Sequence, residues 1–167
     1  MTAPDRARPP LPEGYTLRWA EDANALGDAL FSEIHHYLSV ESYWARGIPA
    51  ATLLRAVSNS LSVVVTKTGG EGEKLVGFAR IVTDRATYAY LCDVFVLPAA
   101  QEKGFARAML HAIDAHPDLQ GLRRCMLMTR DAHALYAKFG YVGLRDPTRA
   151  MERHDPDAYV RPIKPSQ

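Results

Sequence analysis

An α/β domain, with a mixed twisted sheet of six or seven strands flanked by about four helices, is predicted by three features of this sequence. Apolar residues alternate, or run in β-branched blocks, across three consecutive segments between Leu61 and Leu97, joined by short turn-forming stretches. A strand, a turn, a helix and another strand then follow between Thr87 and Met128, and such a crossover makes the two strands parallel neighbours. Four other segments repeat apolar residues at the spacing of one helix face.

At 167 residues the chain is one domain with enough length for a substantial core. The net charge of +1 leaves no surplus of Lys and Arg to neutralise many phosphates, which argues against a nucleic-acid partner. Its two cysteines, Cys92 and Cys125, sit in apolar runs without metal-ligand spacing. A reducing, cytoplasmic location is therefore expected, with no disulfide, no metal and no membrane partner. No apolar run reaches membrane-spanning length, and the first residues lack the apolar centre of a signal peptide.

Residues 1–13 are rich in proline and charge and are expected to be a flexible tail. The domain spans 14–151, and 152–167 form a second, proline-rich tail. Tyr15, Leu17 and Trp19 alternate with Thr16 and Arg18, a half-buried strand. Glu21-Asp22 open a helix whose stripe, Leu26, Leu30 and Ile34, carries it to about Tyr37. A loop from Ser39 to Pro49 presents Tyr43 and Trp44, and Ala50 to Asn59 is helical. Strands follow at Leu61–Thr66, Leu75–Thr83 and Thr87–Leu97; short connections make them an antiparallel meander. The next helix carries Phe105, Ala106, Met109, Leu110 and Ile113 inward and ends near His116-Pro117. Arg124–Met128 is a strand, Ala132–Phe139 a helix closed by Gly140, and Tyr141–Leu144 with Ala150-Met151 supply the last strand elements.

The junction Gln101-Glu102-Lys103-Gly104-Phe105-Ala106 stands out chemically. A turn from strand into helix leaves the first helical N–H groups unpaired beside the positive end of the helix dipole, a ready anion site. Gly104 has no Cβ to hold a phosphate away from the backbone.

Gln101-x-x-Gly104-x-Ala106 resembles the Q/R-x-x-G-x-G/A acyl-CoA motif of the GNAT superfamily of N-acetyltransferases. Asp93-Val94-Phe95-Val96 precedes it at that family's usual distance, and Ala132-x-x-x-Tyr136-x-x-x-Gly140-Tyr141 resembles the family's A-x-x-x-Y-x-x-x-G-F ending. The element order is also similar, and the resemblance spans Tyr15 to Met151.

The resemblance implies acetyl-CoA as co-substrate, its pyrophosphate on the 101–106 backbone and its pantetheine arm paired with an exposed edge at Val94, Phe95 and Val96. It implies that Tyr136 protonates the departing thiolate, a phenol of pKa near 10 serving a thiol near 8.5. Asp93 is a candidate base for the amine, acting directly or through water, and equally a candidate structural carboxylate. Thr129 replaces the family's usual Asn and can cap the helix it precedes. Glu102 must turn to solvent for a pyrophosphate to bind, with Lys103 and Arg107 offsetting its charge.

His35, Tyr37, Tyr43 and Trp44 border the acceptor region that the resemblance implies. His35 and the adjacent His36 cannot share a helix face. The function expected is transfer of acetyl to a primary amine of a small molecule or peptide by direct attack, in a monomer or homodimer. The alternative is an acyl-CoA-binding regulatory or sensor module without turnover.

Overall fold

The computed structural model describes residues 10–70 and 72–161. Most of the N-terminal tail and the end of the C-terminal one therefore lie outside the described residues. Leu11, within the expected tail, packs against the core.

Five strands form one sheet in the order β1 (Tyr15–Ala20), β2 (Leu61–Gly69), β3 (Gly72–Thr83), β4 (Tyr88–Val96) and β5 (Arg124–Leu127). The first four are antiparallel neighbours, and β5 runs parallel to β4. Helices α1 (Asp28–His36), α2 (Ala50–Ser58), α3 (Phe105–Asp114) and α4 (His133–Ala137) connect and cover them. The expected α/β architecture, meander and crossover are all present.

Each face of the sheet has its own core. Val63, Val65, Ala79, Ile81, Ala89 and Leu91 pack with Phe105, Met109 and Leu110 of α3. On the opposite face Val64, Leu75, Phe78 and Phe95 pack with Leu30, Ile34, Leu53 and Val57 of α1 and α2. Strand β2 is buried on both faces, which explains its nearly continuous apolar run, Leu61-Ser62-Val63-Val64-Val65, interrupted by the buried Ser62.

Two expectations need correction. The sheet has five strands among the described residues, not six or seven, because Tyr141–Leu144 and Ala150-Met151 pair with nothing as strands. That segment is short and holds Gly143, Asp146 and Pro147, which interrupt any ladder. Helix α1 starts at Asp28 rather than at Glu21-Asp22. Gly27, at φ 78°, ends the preceding turn, and Asp22 accepts a hydrogen bond from Ala25 N–H at 2.9 Å in a local turn. At its other end α1 loosens into a π-helical turn over Tyr37–Glu41.

Candidate active site

Strand β4 changes partners along its length. Ala89 to Leu91 pair with β3 on one side, and Tyr88 to Leu91 pair with Arg124 to Leu127 of β5 on the other. Pairing with β5 stops at Leu91, while β4 continues to Val96 beside β3. The backbone edge of 92–96 facing away from β3 is therefore open.

A bulge sits at the start of this open half. Phe78 pairs with Phe95 and Arg80 with Cys92, so β4 carries one residue more than β3 across that interval. Asp93 takes the left-handed conformation there, at φ 53°. The bulge resets the alternation: Leu91, Val94 and Val96 share the α3 face, and Phe95 lies on the other. Simple period two would put Cys92 on the face of Val94 and Val96. The extra residue instead places Val94 on the face of Leu91, opposite Cys92.

The strand leads through Pro98–Ala100 into the turn before α3. Gly104 is the N-cap residue at φ 83°, and no side chain caps the helix. The first carbonyl used is that of Gly104, which accepts from Ala108 N–H at 3.0 Å. The N–H groups of Phe105, Ala106 and Arg107 therefore have no intrahelical acceptor. A cavity of about 320 Å³ opens here, lined by Val96, Gln101, Glu102, Gly104, Phe105, Ala106 and Arg107. A Cβ built on Gly104 would meet nothing within 4 Å, so the space over the glycine is clear. These features fit a pyrophosphate.

Around the turn, Gln101 donates from Nε2 to the Val96 carbonyl at 3.2 Å, tying the loop to the end of β4. Lys103 Nζ donates to the Ala99 carbonyl at 3.2 Å. Glu102 is exposed and also left-handed, at φ 64°.

Beyond β5, Thr129 Oγ1 accepts from Ala132 N–H at 3.0 Å. Ala132 is itself the N-cap residue of α4 and no side chain caps that helix, so Thr129 closes the preceding turn and does not take the capping role expected of it. That turn leads into α4, which carries Tyr136. Tyr136 is 8% exposed, and its ring meets Tyr141 edge-on at 5.9 Å. Its hydroxyl has no hydrogen-bond partner among the described residues. Burial, with smaller contributions from Tyr43 and Asp131, pushes its pKa up to about 12.

Asp93 is more tightly held than a strand carboxylate needs to be. Arg80 Nε donates to Oδ2 at 2.7 Å, and Trp44 Nε1 donates to Oδ1 at 3.1 Å. Burial is the largest single influence on the Arg80 guanidinium and would lower it, but the charge and hydrogen bond of Asp93, with Cys92 and Tyr159, together hold it above its ordinary value. Cys92, next to Asp93, is buried enough for its thiol to be pushed up to about 12, with Asp93 adding to the shift. Tyr159, from the C-terminal segment, is raised by burial and then by the Asp93 charge, which places that segment near the pair.

The acceptor-side residues divide. Tyr43 and Trp44 lie together, edge to face at 5.0 Å and both well exposed. Arg130 stacks its guanidinium on Tyr43 at 3.9 Å. Tyr37 stacks on Phe95 at 3.9 Å and lines a second cavity of about 330 Å³ with Ser32, Glu33, His36 and Glu41. His35 does not line that cavity; its Nε2 lies 2.9 Å from the Ile48 carbonyl, holding the α1–α2 loop. Of the adjacent pair it is His36 that faces the opening.

Arg80, Arg130 and Tyr159 were not singled out from the sequence. A lone Arg80 inside the run Val76-Gly77-Phe78-Ala79-Arg80-Ile81-Val82 was the available signal, since a charge in a half-buried strand needs a partner. No comparable signal marks Arg130 or Tyr159.

A family model described as Acetyltransferase (GNAT) domain matches residues 58–143. A candidate acetyltransferase of Gibberella zeae is 35% identical over 121 residues, which are 62% of this chain and 66% of that protein. The match thus spans just under two thirds of the relative's length. A candidate GNAT-family acetyltransferase of Xanthomonas campestris pv. campestris superposes with a TM-score of 0.78 at 42% identity, covering 87% of this chain and 98% of that one. A candidate acetyltransferase of Clostridium acetobutylicum, solved with acetyl-CoA, shares the fold at a TM-score of 0.60 and 13% identity, over 84% of this chain and 96% of that one. This chain belongs to the GNAT acetyltransferase family, whose co-substrate is acetyl-CoA.

Proposed function

We propose that this chain transfers an acetyl group from acetyl-CoA to a primary amine of a small molecule or peptide by direct attack. The observation that carries the reading is the open half of β4 running straight into the uncapped start of α3. When bound, the co-substrate supplies an activated acetyl thioester. The N–H groups at the start of α3 hold its pyrophosphate, with Gln101 fixing the turn and Arg107 at the rim. The free edge at Val94, Phe95 and Val96 takes the pantetheine amides as an added strand would. An N–H of that edge polarises the thioester carbonyl.

Tyr136 then donates its proton to the departing thiolate. Its high pKa keeps it protonated throughout the physiological range, and its hydroxyl is not committed elsewhere among the described residues. Cys92 stays a neutral thiol, and so supports the direct route over an acyl-enzyme. Proton removal from the amine falls to water in the cleft or to Asp93. Tyr43, Trp44 and Tyr37 border the acceptor. The free cysteines accord with a cytoplasmic setting.

The test is Tyr136→Phe against a broad primary-amine panel. Acetyl-CoA should bind with unchanged affinity by calorimetry, while turnover falls by about a hundred- to ten-thousand-fold. Wild-type protein that binds acetyl-CoA but acetylates no amine in the panel would favour the non-catalytic sensor. Failure to bind acetyl-CoA at all would sink both.

A further inference from the structure

The open half of β4 is held from outside the cofactor cleft. Asp93, the left-handed residue of the bulge, has both carboxylate oxygens engaged: one by Arg80 Nε at 2.7 Å, the other by the Trp44 indole at 3.1 Å. The Asp93 side chain is 9% exposed. Arg80 is itself anchored, donating from a terminal nitrogen to Ser60 Oγ at 3.1 Å, and Ser60 donates to the Ala56 carbonyl at 2.7 Å. From Trp44 the contacts continue to Tyr43 at 5.0 Å, and from Tyr43 to the Arg130 guanidinium at 3.9 Å. Arg130 belongs to the turn between β5 and α4. A continuous set of side chains thus runs from β3, through the bulge and the α1–α2 loop, to the far side of the fork where β4 and β5 part.

We infer that Arg80, Asp93 and Trp44 form a clamp, extended by Tyr43 and Arg130, that fixes the acceptor side of the fork, and that Asp93 is a positioning residue rather than the proton acceptor. The inference rests on the acetyl-transfer reading. Each oxygen of the Asp93 carboxylate already accepts a hydrogen bond, from Arg80 Nε on one and Trp44 Nε1 on the other, so taking a proton from the amine would disturb the contacts that fix it. What it can do is hold the bulge. The bulge directs Val94 and the backbone beyond it, and Trp44 carries that setting to the loop bordering the acceptor. The clamp lies on the α1–α2 side of the sheet, away from the turn at Gly104. It should therefore act mainly on the amine, and on acetyl-CoA only through the edge at Val94 to Val96, leaving the turn at Gly104 as it is.

The experiment uses the full chain with Trp44→Phe, Asp93→Asn, Arg80→Ala and Arg80→Lys. Acetyl-CoA affinity is read by calorimetry and transfer is read with the best primary amine of the panel. Trp44→Phe keeps an aromatic ring near Tyr43 and removes the N–H together with part of the ring. It should raise the amine KM about tenfold at similar kcat, with any weakening of acetyl-CoA smaller than that change. Asp93→Asn should slow transfer while keeping the shape of the pH profile, and Arg80→Lys should recover part of what Arg80→Ala loses. Loss of the rising limb of the pH profile in Asp93→Asn would make Asp93 the base and overturn the inference, as would an unchanged amine KM in Trp44→Phe.

Hydrogen exchange gives a readout independent of turnover. Trp44→Phe should speed exchange in 42–47 and in 92–96 together, leaving 105–110 as in wild type. Unchanged exchange in 92–96 would show no coupling and overturn the clamp even if no amine were turned over. Failure of wild type to bind acetyl-CoA would instead count against the acetyl-transfer reading.

Discussion

The two halves of β4 are built from similar residues and do different work. Ala89–Leu91 is a sheet interior, with ladders on both sides and Ala89 and Leu91 buried against α3. Beyond Leu91 the strand keeps its β3 partner and loses β5, and one added residue at Asp93 turns its later side chains over. The first half secures the fold. The second leaves backbone groups outside any ladder, which a folded domain tolerates only where something else pairs with them or water reaches them. One strand thus supports the sheet and, in the reading proposed here, offers an edge to a ligand, and the change from one role to the other occupies a single bulge.

The contrast can be broken most strongly in the first half. Leu91 is 2% exposed in the α3-facing core, and Leu91→Ala should cost about 2–5 kcal/mol in denaturant unfolding. The molecules that remain folded should bind acetyl-CoA as well as wild type. Val94→Ala, in the half-buried open region, should cost less than about 1.5 kcal/mol. Its effect should appear in transfer rather than in the unfolding midpoint. If the two variants lost stability equally, the division of labour along β4 would be wrong.

Gly77 sharpens the comparison from the neighbouring strand. It sits opposite Val96, and a Cβ there would lie 3.0 Å from the Phe95 carbonyl oxygen and 3.2 Å from Met109 Cε. Methionine can yield, but the strand carbonyl cannot without moving the open half. Gly77→Ala should therefore destabilise by about 1–3 kcal/mol and weaken acetyl-CoA binding, both readable in one thermal titration. At Gly104, by contrast, the space is clear and the backbone is the obstacle, because φ is 83°. Gly104→Ala should cost about 1–2 kcal/mol of backbone strain and place a methyl group at the mouth of the anion site. Binding should weaken about tenfold, measured by calorimetry.

How much was legible in the sequence follows from the range of the interactions. The turn at 101–106 and the helix beginning at Phe105 are local, and Gly104 marks both. The crossover to β5 was legible because a helix lies between two short strands. The reversal of faces in β4 was not. Asp93 in a left-handed conformation adds one residue to the register, and nothing in Leu91-Cys92-Asp93-Val94 announces it beyond an Asp, a residue that tolerates that conformation. The missing last strands were equally hidden, since Tyr141-Val142 is strand-like alone and the interruption comes from Gly143, Asp146 and Pro147. Trp44 and Tyr43 were recognisable as aromatics in the loop where the family resemblance implies an acceptor. Their contacts with Asp93 and Arg130 join positions far apart in the chain, and only the fold brings them together.

The smallest effect belongs to the turn that starts β4. Asp84 is fully exposed, yet its Oδ1 accepts from the N–H groups of Ala86 at 3.0 Å, Thr87 at 2.8 Å and Tyr88 at 3.0 Å. Thr87 Oγ1 donates to its other oxygen at 2.6 Å. These hydrogen bonds, the one from the Thr87 hydroxyl first, favour the charged carboxylate and hold it far below the usual range. A folded pKa below the unfolded one means that the turn's contribution is complete above the unfolded value of about 3.9 and is lost as pH falls toward the folded one. Asp84→Ala should therefore lower the melting temperature slightly at neutral pH, and the gap from wild type should narrow as the solution is made acidic. Acetyl-CoA binding should not change, because the turn lies at the paired end of β4. A gap that stayed constant from neutral pH into acid would mean that the carboxylate's charge is not what holds this turn.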